Sequence, residues 1–81
     1  MTNIAYVNGD FVHHDEAKIS IFDRGFLFSD GIYDISPILA GKLIDNDVHL
    51  NRLQSSAGKL EIELPLGLKE IEKIQLSLIH I

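Results

Sequence analysis

Asp23-Arg24-Gly25-Phe26-Leu27-Phe28-Ser29-Asp30-Gly31-Ile32-Tyr33-Asp34 is a polar, glycine-punctuated loop that runs directly into an apolar, strand-like segment. Glycines at 25 and 31 bracket Phe26 and Phe28, so the backbone is expected to turn tightly at both ends while the rings anchor the loop on a core. Beyond Gly31, Ile32 to Leu39 alternates in polarity, the pattern of a strand. If Ile32 faces one side, Tyr33 faces the other. A loop that fixes a strand whose first outward residues are a Tyr and an Asp is a common way to build a pocket wall.

Within the loop, Arg24 is expected to form a structural ion pair, since its planar fork suits a neighbouring carboxylate. Asp30 is expected to accept backbone N–H bonds inside the turn Ser29-Asp30-Gly31. Pro37 lacks an N–H and belongs at an edge or a bulge rather than in a central ladder.

Upstream, Ile4-Ala5-Tyr6-Val7 and Asp10-Phe11-Val12-His13 read as strands joined by the hairpin signal Asn8-Gly9. His13-His14-Asp15-Glu16 gathers metal-ligand types, but adjacent residues point apart, which favours a solvated loop. Ala17 to Phe22 alternates as a third extended segment. Downstream, Ala40-Gly41-Lys42 is a turn and Leu43-Ile44 a returning strand. Asp45-Asn46-Asp47 then offers several N-caps to a helix whose apolar stripe is Leu50, Leu53, Ala57 and Leu60. His49, Arg52 and Ser56 form a flanking stripe on that helix. Gly58 weakens its end, residues 61–65 exit extended, and Leu68, Ile71 and Ile74 open a second amphipathic helix. The fold class is α/β (α+β), a mostly antiparallel sheet of hairpins with two packed helices.

Eighty-one residues make one small domain with a marginal core. Twelve acidic against seven basic residues, with no basic cluster, argue against nucleic acid as a partner. The absence of cysteine removes disulfides and thiolate chemistry and is compatible with a reducing compartment. With no signal-like start and no long apolar run, the expected location is the cytoplasm, away from membranes.

In order, Asp23-Arg24-Gly25, Asp30-Gly31-Ile32-Tyr33-Asp34, Gly41-Lys42 and His49-Leu50-Asn51-Arg52-Leu53 resemble the N-terminal domain of the fold-type-IV pyridoxal-phosphate aminotransferases, the D-amino acid enzymes above all. The likeness spans roughly residues 4 to 75. Ser29 departs from it, standing where these enzymes usually carry glycine, and Asp34 stands where the D-amino acid enzymes usually carry glutamate. By resemblance, Arg52 binds the phosphate of pyridoxal 5'-phosphate and Tyr33 lines the substrate pocket.

The same resemblance implies a homodimeric parent that moves an amino group from D-alanine to 2-oxoglutarate, giving pyruvate and D-glutamate. The lysine that carries the cofactor in that family follows this domain, and none of Lys18, Lys42, Lys59, Lys69 or Lys73 sits in a matching motif. No catalytic residue is therefore expected in this chain, which is read as an inactive N-terminal piece. Branched-chain L-amino acid aminotransferases and aminodeoxychorismate lyases are the alternatives within the family. A non-catalytic interaction module is the alternative outside it.

Leu76-Ser77-Leu78-Ile79-His80-Ile81 follows neither the charge pattern nor the family pattern. It reads either as the rest of the helix or as the translation of ctg-tct-ctt-ata-cac-atc, a transposon-end adapter of sequencing libraries. On the second reading 1–75 is a truncated domain and 76–81 a non-native tail. A stop codon directly after Ile81 in the source genome would exclude it.

Overall fold

Asn8 and Gly9 both take positive φ angles, 49° and 95°, the handedness that a two-residue hairpin turn needs to match the twist of its strands. In the computed structural model, which describes residues 3–80, they join β1 (Ile4–Val7) to β2 (Asp10–His13) in the expected antiparallel register, with Val7 opposite Asp10. Tyr6 and Phe11 face each other across the pair, ring edge to ring face, with centroids 5.0 Å apart. His14–Glu16 forms a single exposed 3-10 turn rather than an open loop. Residues 17–22 join no sheet, and the Asp23 amide closes a turn on the Ser20 carbonyl.

The loop Asp23 to Asp34 contains an unexpected helical turn, α1 (Arg24–Phe28). Asp23 caps it by accepting the Gly25 N–H at 2.8 Å. A Cβ on residue 25 would sit 2.9 Å from that oxygen, so glycine serves the close approach of the cap rather than a left-handed turn. Ser29, at φ 58°, is the left-handed residue that ends α1. Phe26 and Phe28 are 71% and 68% exposed, which corrects the expectation that they anchor the loop on a core; Phe28 has the Arg24 guanidinium over its ring, 5.7 Å from the centroid. Arg24 does form the expected ion pair, its Nε and Nη2 donating to Asp30 Oδ2 at 2.9 and 2.6 Å. The Asp30 carboxylate is thereby taken by Arg24 and not by the backbone of its own turn, because Asp23 has assumed the capping role.

The strand expected over residues 32–39 is reduced to β3 (Ile38–Leu39), which pairs with β4 (Lys42–Leu43) across Ala40 and Gly41, again both at positive φ. Residues 32–36 keep the alternation: Ile32, Asp34 and Ser36 turn inward while Tyr33 and Ile35 turn out. They form no ladder, since among the described residues no strand pairs with them. Pro37 sits at the end of the pair, and its carbonyl accepts the Ile44 N–H at 3.0 Å. The architecture is α+β, with two separate antiparallel pairs in place of one sheet.

α2 (Asn46–Lys59) starts one residue after Asp45, which lies at φ 51° and makes no side-chain cap. Leu50 and Ala57 are buried and Leu53 half-buried, as the stripe predicts, whereas Leu60 lies past the helix end and is exposed. Glu61 takes the left-handed angle beyond that end, and the Ile62 N–H returns to the Ala57 carbonyl at 2.8 Å, closing a Schellman-type turn. α3 (Leu68–Ile79) half-buries Leu68, Ile71, Ile74 and Leu78 and packs against α2 and β1. Leu76 to Ile79 continue α3; Ile81, the last residue of the suspected tail, lies outside the described residues, as do Met1 and Thr2.

Candidate functional site

Steps of three and four residues along α2 set His49, Arg52 and Ser56 on one flank, beside the buried stripe. The inward face of residues 32–36 lies along this flank. Asp34 meets Arg52 there in a side-on fork, with Nε donating to Oδ2 at 2.8 Å and Nη2 to Oδ1 at 2.7 Å. The shorter aspartate therefore reaches its partner. His49 Nδ1 lies 3.1 Å from both Asp34 Oδ1 and Arg52 Nη2. A single ring nitrogen cannot serve both at once: protonated, it donates to Asp34, and unprotonated, it accepts from Arg52.

The Asp34 side chain is 9% exposed and that of Arg52 60%. Arg52, foremost through its paired hydrogen bonds, holds the Asp34 carboxyl far below the usual carboxylate range. Removal from water opposes this, while His49 and the Ile35 amide, which donates to Oδ1 at 2.8 Å, reinforce it. The hydrogen bond with Asp34 raises the Arg52 pKa in return. Arg52 Nη1 has no hydrogen-bond partner among the described residues. Its guanidinium borders an open hollow of about 420 Å³ lined by Tyr33, Asp34, Ile35, Arg52 and Ser56.

The structure thus brings both sequence-predicted site residues, Tyr33 and Arg52, to one hollow. Tyr33 is 86% exposed and its neighbour Asp34 faces inward, so the outward pair expected at the start of the strand is Tyr33 with Ile35. Sequence reasoning missed the pairing of Asp34 with Arg52. The two-residue step 34, 36 and the three-residue steps 46, 49, 52 are compatible with that pairing, but only the docking of the extended segment along the helix reveals it.

A second polar cluster lies next to the first. Ser36 Oγ donates to Asn46 Oδ1 at 2.9 Å, Asn46 Nδ2 donates to Gln75 Oε1 at 2.9 Å, and Gln75 Nε2 donates back to Ser36 Oγ at 3.3 Å. Asn46 Nδ2 also donates to Glu72 Oε1 at 3.3 Å. Among the described residues no group of three or more His, Asp or Glu is placed to hold a metal ion, and no helix is long and apolar enough to cross a membrane.

No family model matches the chain. Among curated proteins, a D-alanine aminotransferase of Staphylococcus haemolyticus is 33% identical over 81 residues, all of this chain and 28% of that relative. D-alanine aminotransferases of Staphylococcus aureus (strain N315) and Staphylococcus epidermidis are 35% and 37% identical, over 91% and 88% of this chain and 26% and 25% of their own lengths. The chain spans about a quarter of the length of the curated relatives it matches. Over the residues that align, the chain is similar to proteins named D-alanine aminotransferase.

Proposed function

We propose that Arg52, held in a fork by Asp34, is the phosphate anchor of a pyridoxal-phosphate site, and that Tyr33 borders its substrate side. The observation that carries this reading is the guanidinium itself. Two of its nitrogens are fixed on Asp34, and Nη1 has no hydrogen-bond partner among the described residues, in a side chain that lines the hollow. A phosphate group needs a fixed cation and hydroxyl donors, and Arg52 with Ser56 fits that donor set. When bound, the cofactor supplies an electron sink conjugated to the α-carbon of an amino acid. This chain's own residues contribute binding and orientation: Asp34 and His49 keep the guanidinium in place, and Tyr33 presents a hydroxyl beside the hollow.

The longer activity follows the names of the relatives. The reaction proposed is transfer of an amino group from D-alanine to 2-oxoglutarate, in a homodimer, in the cytoplasm that a cysteine-free composition suits. No lysine lines the hollow, so the chain by itself is proposed to bind without turning over.

Titration of the 81-residue chain with inorganic phosphate, followed through the backbone amide resonances of Tyr33, Asp34, Ile35 and Ser56 around the hollow, tests the anchor. Arg52→Ala is expected to weaken binding by about tenfold or more, and Arg52→Lys, which keeps the charge but not the fork, by less. Equal phosphate affinity in Arg52→Ala and wild type would sink the reading.

A further inference from the structure

We propose that Asn46 is a positioning residue for the anion site: through Ser36 it sets the register of residues 32–36 on α2 and so places Asp34 on Arg52. The inference rests on the reading of Arg52 as the anion anchor and adds what orients it.

Asn46 is the first residue of α2 and only 6% exposed, yet its amide serves no helix cap. It is spent sideways. Its oxygen accepts from Ser36 and its two N–H groups go to Gln75 and Glu72 on α3. Ser36 to Asn46 to Gln75 and back to Ser36 is a closed ring in which every donor points the same way round, the arrangement in which hydrogen bonds polarise one another favourably. Three segments meet in it: the unpaired stretch 32–36, the start of α2 and the middle of α3.

That stretch needs such a fixing. It has the burial alternation of a strand but no ladder to hold it, so its register depends on side chains. Two of them grip α2, Ser36 at Asn46 and Asp34 at His49 and Arg52. The spacings agree. Two extended residues advance about 6.6 Å, and α2 advances about 6.8 Å from Asn46 to the midpoint of His49 and Arg52. With Ser36 latched, Asp34 therefore falls opposite the guanidinium without adjustment. A slip of one residue would instead turn Tyr33 or Ile35 toward Arg52 and leave a carboxylate-free fork.

The measurement is the hydrogen exchange and chemical shift of the Arg52 Nε–H in the full chain, without added ligand. Asn46→Ala and Ser36→Ala are each expected to shift this signal and speed its exchange by about fivefold, the equivalent of one net hydrogen bond lost. Ile71→Ala, a truncation of a half-buried α3 residue outside the ring, is the control for general loosening and is expected to leave the signal in place. An unchanged signal in folded Asn46→Ala overturns the proposal, as does an equal change in Ile71→Ala. If Asn46→Ala does not fold, Ser36→Ala decides by the same criterion, since it removes the latch and leaves Asn46 bonded to α3. Phosphate added afterwards separates the two ideas. A wild-type chain that ignores phosphate removes the anchor reading and leaves the positioning result standing, whereas an indifferent Arg52 signal in the variants removes the positioning alone.

Discussion

Asp34 carries a carboxylate one methylene shorter than the glutamate usual at its position in the D-amino acid enzymes it resembles, and still closes on Arg52 at 2.7 and 2.8 Å. The backbone makes up the reach, because residues 32–36 lie directly along α2. The pair has a pH signature. The folded-state pKa of Asp34 is depressed, so its contribution is fully present above the unfolded value, about 3.9, and is lost as pH falls toward the folded one. Urea denaturation of wild type is expected to show stability falling between about pH 4 and pH 2, while Asp34→Asn, with no charge to lose, shows a flatter acid limb. Equal acid limbs would mean that the fork does not persist in solution. The pairing itself was hidden from sequence reasoning. Asp34 lies 18 residues before Arg52, and only the docking of one segment on the other makes them neighbours.

At the scale of elements, the local signals predicted the pieces that close on themselves. Asn8-Gly9 and Ala40-Gly41 both form hairpin turns, and the stripe Leu50, Leu53, Ala57 falls inside α2. Elements that depend on a distant partner were not legible. Residues 32–36 have strand periodicity without a strand beside them, and 23–28 forms a helical turn because Asp23 supplies a cap that composition alone does not announce. Where α2 ends, Glu61 holds a left-handed angle of φ 58° that glycine adopts freely. Glu61→Gly is therefore expected to raise stability by about 0.5–1 kcal/mol, read as an increase in Tm, with helix content unchanged. A lower Tm would show that the Glu61 side chain contributes more than its backbone strain costs.

The whole molecule exposes more surface than its mass explains. A compact 9.1 kDa protein presents about 4,900 Å², and this chain presents 6633 Å². The excess, about 1,700 Å², is roughly twice what one partner buries in an interface of ordinary size. Large apolar side chains contribute to it, among them Ile19, Phe22, Phe26, Phe28, Ile35 and Leu39, all exposed. A second copy is the partner always available to the isolated chain. Sedimentation is expected to show association that rises with concentration, and Phe26→Ser with Phe28→Ser to weaken it. A monomer at every concentration would show that these exposed side chains are tolerated in water.

The sequence by itself determined the hairpin turns and the two longer helices, because each depends on residues a few positions apart. Only the tertiary structure decided what Arg52 faces. Which carboxylate holds Arg52, and which amide holds the carboxylate's segment in register, depend on contacts between stretches 10 to 39 residues apart in the chain. Such contacts are set by the packing of α2 and α3, and no periodicity within a single stretch encodes them.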